Sequence, residues 1–231
     1  MGASYRQFCP MAKAMEVLDE RWTLLLVREL LLGSERFSDL RRGLPRMSPT
    51  LLSRRLHQLV AAGVLTREES VGEVHYRLTA AGEELRPVVE ALGVWGTRWV
   101  PGLADAELDP TLLLWDMHRN VDRTHVPAGR TVVQFEFTDV APTSRRWWIV
   151  ITAQDVDVCD DDPGDEPDAV VRTTLRALTE VWRGDRTWSQ ADRAGDLTTL
   201  GSRDVQRSVA AWFTLSPFAG IPRPVASGAP H

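Results

Sequence analysis

Residues 36–55 concentrate side chains whose chemistry suits nucleic acid. Six arginines occur in this stretch against one acidic residue, Asp39. A guanidinium group can bind phosphate oxygens, or the edge of a guanine base, through two parallel hydrogen bonds. Thr50, Ser53 and the nearby His57 add hydroxyl and imidazole groups that can bond to base edges. These residue types predict contact with double-stranded DNA; the alternative interpretation is an ordinary solvated helical surface.

Two helices joined by a turn must position these groups. Phe37, Leu40 and Leu44 recur at helical spacing, and a glycine and a proline then break the helix. Ser48-Pro49 predicts the start of a second helix, with serine as the N-cap and proline at the first helical position. The apolar stripe of this second helix consists of Leu51, Leu52, Leu56, Leu59 and Val60. Gly63 is expected to end it in the left-handed conformation.

A helix, a turn and a second helix with a polar, basic face is the layout of a helix-turn-helix, in which the second helix reads DNA. The residues expected to face the bases in the major groove are Thr50, Ser53, Arg54 and His57. The residues expected to contact phosphates are Arg36, Arg41, Arg46 and Arg55, and Ser48 completes the predicted DNA-binding set.

The elements on either side agree with this layout. A short helix from Cys9 to Leu18 is followed by a helix from Trp22 to Leu32, which is apolar almost all round and which Asp19 can cap. After the helix pair, residues 64–67 and 75–79 alternate with period two, which predicts a two-stranded hairpin. A hairpin directly after the second helix is typical of the wing of a winged helix.

Several short signatures occur in the order found in one known family. They are Cys9-Pro10, Arg21-Trp22-Thr23, Arg36 to Leu40, Met47-Ser48-Pro49, Leu51 to Leu56, Ala62 to Leu65, Tyr76 to Thr79 with Gly82 and Leu85, and Trp95-Gly96. Over about residues 8–100 the chain therefore resembles the HxlR-type family of bacterial winged-helix transcriptional regulators. The resemblance implies a homodimer on a palindromic operator. It departs in the hairpin, where Glu69 and Glu73 replace a basic tip, so we expect little contact between this wing and phosphate.

Thr79 is expected to cap a long helix that reaches about Val100 and is kinked at Pro87. Five apolar residues of this helix repeat at intervals of three and four, which is a heptad seam. They are Leu85, Val88, Leu92, Trp95 and Trp99. We predict that this seam forms the dimer interface, because a helix-turn-helix needs two half-sites for specificity; packing within the domain is the alternative.

Residues 101–110 predict a linker between a DNA-binding domain in residues 1–100 and a second domain in residues 111–215. Strands are expected at 133–137, 147–151, 155–158 and 197–200, and helices at 111–119, at 168–183 and after Ser202. The tail, residues 216–231, is rich in proline and is expected to be disordered. The whole chain is therefore expected to be α+β.

The order of elements in the second half is similar to the sterol-carrier-protein-like fold, an antiparallel sheet with helices on one side around an apolar tunnel. This resemblance implies an apolar small-molecule effector. The expected walls of its site are Phe135, Phe137, Trp182 and Trp212. The alternative is that these aromatic side chains fill a solid core.

Cys9 is the candidate for redox chemistry, because it lies at a helix N-terminus with Lys13 one turn away. Some HxlR-type regulators sense electrophiles or oxidants through a cysteine at this Cys-Pro position. The competing interpretation is an inert packing residue.

Other chemistry is not indicated. The acidic run at 155–168 fits no calcium-loop register, the five histidines make no zinc spacing, and no catalytic motif occurs, so we expect no metal, no cofactor and no enzyme. A chain of 231 residues with two cysteines, a net charge of −5 and no long apolar run predicts a two-domain cytoplasmic protein without a membrane segment. The sequence thus predicts a dimeric DNA-binding regulator; a lipid or small-molecule carrier that uses the winged helix for dimerisation is the rival.

Overall fold

The computed structural model describes residues 4–70, 72–100 and 102–223. The chain is α+β, as predicted, and it divides into two compact units with a boundary between Gly96 and Thr97. None of the described helices is long and apolar enough to cross a membrane.

The first unit is a winged helix-turn-helix. Its helices before the wing are α1 (Pro10–Leu18), α2 (Thr23–Leu31), α3 (Phe37–Gly43) and α4 (Pro49–Ala61). The antiparallel wing consists of β1 (Leu65–Ser70) and β2 (Glu73–Leu78). Two helices follow, α5 (Ala80–Glu83) and α6 (Arg86–Trp99), and the boundary between the units falls near the end of α6. The helix pair and the hairpin that the sequence predicts are therefore both confirmed.

Leucines from α2, α3 and α4 form the centre of this unit. Leu26, Leu40, Leu52, Leu56 and Leu59 are at most 1 % exposed. Three of them come from the predicted stripe of α4, and its other two members, Leu51 and Val60, are half-buried against the same core. Burying a leucine side chain contributes about 1.5–3 kcal/mol, which makes the stripe the main stabiliser of the position of α4.

The local signals for the ends of α4 and for the turn after the wing are confirmed. The Ser48 hydroxyl accepts a hydrogen bond from the Leu51 backbone N–H at 3.3 Å, with Pro49 as the first helical residue. Gly63 has φ +73°, the left-handed conformation that glycine adopts without steric cost. The Thr79 hydroxyl accepts from the Gly82 N–H at 3.2 Å and so caps α5.

Three sequence expectations in this unit are wrong in detail. Asp19 does not cap α2; it ends α1, and its carboxylate accepts a hydrogen bond from the Tyr5 hydroxyl. Trp22 precedes α2 instead, with φ +79°. The predicted long helix after Thr79 is two helices, because the chain breaks between α5 and α6 and Pro87 is the second residue of α6, where a proline costs no hydrogen bond.

Gly43, the last residue of α3, allows a buried carboxylate to approach its backbone. A Cβ atom at this position would lie 1.8 Å from Oε2 of Glu29. Glu29 is fully buried in α2 and is held by Arg28, whose Nη2 donates to its Oε1 at 2.5 Å. A side chain larger than hydrogen at residue 43 therefore has to displace this ion pair or separate α2 from α3.

We expect Gly43→Ala to destabilise the first unit by about 1–3 kcal/mol, the usual cost of overpacking a filled site. Thermal or denaturant unfolding of the full chain measures this. The matched control is Gly96→Ala in α6, where an added Cβ meets no atom within 4 Å. If both variants melt like the parent protein, Glu29 can move without cost and the proposed constraint does not exist.

In its described residues, the second unit is a five-stranded sheet with four α-helices. Its elements are α7 (Pro110–His118), β3 (Thr131–Phe137), β4 (Arg146–Ile151), β5 (Val156–Cys159), β6 (Ala169–Thr173), α8 (Leu175–Trp182), α9 (Trp188–Arg193), β7 (Leu197–Gly201) and α10 (Arg203–Trp212). The strand order is β5-β4-β3-β6-β7. β3 and β6 run parallel and the other pairs antiparallel, so the prediction of a wholly antiparallel sheet is wrong at this central pair.

The predicted helix at 168–183 begins too early, because its first residues form β6. Ala169, Val171 and Thr173 are buried on one face of this strand, and β6 pairs with both β3 and β7. β-branched residues suit such a strand. The helix α8 starts only after Thr174, whose hydroxyl accepts from the Ala177 N–H at 3.0 Å.

Aromatic and aliphatic side chains from one face of the sheet and from α7, α8, α9 and α10 form a single core. Phe135, Phe137 and Trp212 are fully buried in it. These three predicted ligand contacts therefore pack the core. Trp182, the fourth, lines a pocket among the helices of this unit.

Residues of the predicted linker and of the predicted disordered tail make contacts within the second unit. In the predicted linker, Arg176 of α8 donates to the Leu103 carbonyl at 3.3 Å and to Asp105 at 2.5 Å. In the predicted disordered tail, the Ser216 N–H donates to the Trp182 carbonyl at 3.0 Å, and Arg223 pairs with Asp185. The prediction of disorder is thus wrong for 216–223, while residues 224–231 lie outside the described part of the chain.

Candidate nucleic-acid interface

The helix α4 turns its polar residues away from the leucine stripe. Thr50, Arg54 and His57 are exposed, and Ser53 is half-buried beside them. Residues three and four positions apart share one face of a helix, so residues 50, 54 and 57 form a continuous surface. These side chains offer a hydroxyl, a guanidinium group and an imidazole, which are groups that can bond to base edges.

The imidazole of His57 is oriented by its own helix. Its Nδ1 lies 2.8 Å from the Ser53 carbonyl oxygen. Because a carbonyl oxygen only accepts hydrogen bonds, Nδ1 carries the proton and donates, and Nε2 of the neutral ring is an acceptor. A base amino group of adenine or cytosine is the complementary donor in the major groove.

Other predicted phosphate contacts lie in the last turn of α3 and in the turn between α3 and α4. Arg41 and Arg46 are exposed, and Arg41 forms no ion pair with any described residue. The Ser48 hydroxyl uses a lone pair to cap α4, and its proton remains able to donate. The start of α4 also carries the positive end of the helix dipole, which favours a phosphate.

Arg55 is not available to DNA, and its prediction as a phosphate contact is wrong. The residue is only 4 % exposed. Its guanidinium donates to Glu20 at 2.5 Å, to the Arg21 carbonyl at 3.3 Å and to Gln58 at 2.6 Å. Arg55 therefore fastens α4 to the turn between α1 and α2.

The arginines of the wing form ion pairs with carboxylates of the same protein. Arg67 pairs with Glu69 at 3.2 Å, and Arg77 pairs with Glu68 at 3.0 Å. Arg77 also bonds to Glu35, and this hydrogen bond is the main reason that the pKa of Arg77 is raised. The two wing strands carry two arginines and three glutamates, so the described part of the wing has no excess positive charge.

Arg36, another predicted phosphate contact, is tied to the wing. Its Nη2 lies 2.8 Å from the Glu73 carboxylate, and both side chains are about half exposed. Exposed ion pairs of this kind contribute little to stability. Arg36 can therefore exchange Glu73 for a phosphate at small cost.

The predicted dimer seam on α6 is largely open to solvent. Val88, Leu92, Trp95 and Trp99 are 44–58 % exposed, whereas Leu85 packs against the core of the first unit. Leu25 on α2 and Leu32 just after it are also exposed. The sequence predicts that α2 is buried on all sides, and this prediction is wrong. The spacing of seven residues between Leu25 and Leu32 is the signal for a second apolar stripe.

Cys9 directly precedes α1, at the helix N-terminus that the sequence predicts, and it is exposed. The ammonium group of Lys13 lies 3.2 Å from the carboxylate of Glu16, so its charge is already compensated. Among the described residues, no group of histidine, cysteine and acidic side chains is arranged to hold a metal ion.

The fold and this surface define the protein as a winged helix-turn-helix protein. Residues 17–103 match the model of the family described as HxlR-like helix-turn-helix. The chain belongs to this family.

Two related proteins are named as transcriptional regulators. YvaP of Bacillus subtilis is 38 % identical over 98 residues, which are 41 % of this chain and 91 % of YvaP. The protein sll1512 of Synechocystis is 37 % identical over 95 residues, which are 40 % of this chain and 70 % of that protein. Both are called HTH-type transcriptional regulators. The reduced form of the transcriptional regulator YodB from B. subtilis is similar in structure, with 27 % identity, a TM-score of 0.37 and coverage of 42 % of this chain and all of YodB.

We expect Arg55→Ala to destabilise the first unit by about 2–4 kcal/mol, because it leaves Glu20 and the Arg21 carbonyl without their donor. The neighbouring Arg54→Ala is the matched control, since Arg54 is exposed and a surface substitution changes stability by only about 0.5 kcal/mol. Denaturant unfolding distinguishes the two variants. Equal unfolding midpoints for both would show that the buried contacts of Arg55 contribute nothing.

Proposed function

We propose that this protein is a dimeric, sequence-specific DNA-binding transcriptional regulator. The DNA-binding domain comprises residues 1–100, a connector spans 101–110, and residues 111–215 form a second domain. The helix α4 enters the major groove, where Thr50, Ser53, Arg54 and His57 contact bases. Arg36, Arg41, Arg46 and Ser48 contact the phosphates.

A single observation supports this function best. The face of α4 opposite the buried leucines carries three exposed side chains with hydrogen-bonding groups, Thr50, Arg54 and His57. Arg54 forms no ion pair with any described residue. A solvated helical face needs no such arrangement, whereas a reader helix needs unpaired donors and acceptors aimed into the groove.

Dimerisation through α6 supplies the second half-site. A two-fold interface brings the same surface of both protomers together, as an apolar seam requires. Two reader helices about 34 Å apart fit successive major grooves on one side of the duplex. The exposed residues of the seam support this assembly because contact with a second copy would remove them from water.

The first test concerns base reading. We expect Arg54→Ala to weaken operator binding by about 1–3 kcal/mol and to relax base preference at one position, if Arg54 makes a bidentate contact with guanine. Gel shifts with the DNA upstream of the gene, and with single-base variants of the bound site, measure both effects.

Arg41→Ala is the matched control for that test. A phosphate contact carries no sequence information, so its loss should weaken binding to all sequences alike and lower the slope of log K against log salt by about one. Operator binding by Arg54→Ala that is as tight and as selective as that of the parent protein would show that α4 is not the reader.

The second test concerns assembly. We expect Leu92→Asp to produce monomers and to abolish operator binding, because a carboxylate in an apolar seam would have to be buried without a partner. Leu92 is 48 % exposed in the protomer, so the substitution should leave the fold intact. Light scattering measures the mass, and Glu90→Ala, on the opposite face of α6, is the control. A dimer that persists in Leu92→Asp would exclude this seam as the interface.

We also propose that the second domain receives the signal, as an apolar effector site. Cys9 remains a separate redox hypothesis, supported by its exposure. The rival function is a carrier in which the winged helix serves only dimerisation. A carrier would bind its ligand equally well and would not shift operator DNA, so the gel shift separates the two functions.

A further inference from the structure

The helical layer of the second unit contains an open pocket of about 400 Å³. Met117 of α7, Leu178 and Trp182 of α8 and Ala211 of α10 lie on its walls, together with Phe213. Ligand pockets of roughly 300–1,000 Å³ are the usual size for small molecules. The lining residues all come from helices or loops, and the predicted tunnel walls Phe135 and Phe137 are not among them, because both are buried in the core.

The walls are apolar and firmly held. Phe213 packs edge-to-face on Phe135 of the sheet, with ring centroids 5.6 Å apart. The chain just beyond the pocket is fixed to α8, because the Ser216 N–H donates to the Trp182 carbonyl and Ala219 packs closely against Gly184. A pocket with fixed walls costs little ordering when a ligand enters.

The guanidinium group and the hydroxyl groups of the lining already have partners inside the protein. Arg186 pairs with Asp196 at 2.7 Å. The Thr187 hydroxyl accepts from the Gln190 N–H at 3.2 Å, and the Thr214 hydroxyl donates to the Asn120 carbonyl at 2.9 Å. An anionic head group would have to break the Arg186 ion pair or enter without a counter-charge, and either is unfavourable.

We propose that this pocket binds an uncharged, apolar small molecule through its aliphatic and aromatic walls. We infer that the ligand is uncharged because the charged group of the lining, Arg186, is already paired. The volume of the pocket limits the size of the ligand. Binding itself is independent of DNA; only the role of the ligand as an effector rests on the function proposed above.

Two dyes that differ by one charged group test the proposal on the full chain. Phenylnaphthylamine is neutral, and anilinonaphthalene sulfonate is its anionic relative. Trp182 and Trp188 both line the pocket, so quenching of tryptophan fluorescence reports binding. We expect saturable binding of one neutral dye per chain, about tenfold tighter or more than that of the sulfonate, which corresponds to 1.4 kcal/mol or more.

A filled pocket provides the second arm of the test. Ala211 is exposed at the rim, so Ala211→Phe should occupy the pocket without disturbing the core. We expect this variant to lose about tenfold or more in affinity for the neutral dye with an unchanged melting temperature. Ala153→Phe, at another exposed alanine of the same unit that does not line the pocket, should bind like the parent protein.

Each of these results tests the pocket and its ligand class independently of DNA binding. No saturable quenching by the neutral dye, or equal affinity for Ala211→Phe, would overturn the site. Binding of the sulfonate as tight as that of the neutral dye would overturn the ligand class. Dye binding as expected with no operator shift on the same preparation would leave the pocket standing and reject the regulator.

Discussion

The burial of one leucine face fixes the rotation of α4 about its own axis, and this rotation decides what the first unit presents to DNA. Leu52, Leu56 and Leu59 are almost inaccessible to solvent. Turning the helix by one residue would move them toward water, at a cost of about 1.5–3 kcal/mol for each side chain exposed, and would carry Arg54 toward the core. Arg54 therefore points toward solvent because the leucines on the other face are packed, and not because of any property of the polar residues.

Packing also decides which arginines are exposed and which are buried. Arg54 and Arg55 are neighbours in sequence, but with 3.6 residues per turn they point in directions about 100° apart. One therefore faces solvent, while the other enters the turn between α1 and α2 and bonds to Glu20. Arg36 is also paired, with Glu73 of the wing, but both of these side chains are about half exposed. The count of arginines in residues 36–55 thus overstates the number of cations that are open to phosphate.

The features that could be predicted from the sequence depend on neighbours within a few residues. The cap at Ser48, the left-handed Gly63 and the start of α5 at Thr79 are of this kind, as is the polar face of α4. The errors arise where a distant partner decides. Arg55 is buried by a residue 35 positions away, and β6 is a strand because β3 and β7 lie on either side of it. A helical pattern in residues 168–183 cannot reveal those partners.

The helix α6 links stability to recognition. None of its residues is fully buried, and its apolar seam faces water. A helix of this length is marginal in water without tertiary packing, so α6 gains from any apolar surface that covers the seam. A second copy offers the same seam through a two-fold axis, and a two-fold axis is also the symmetry of a palindromic operator. In the proposed dimer the contact that removes Leu92 and Trp95 from water is therefore the contact that spaces the two reader helices.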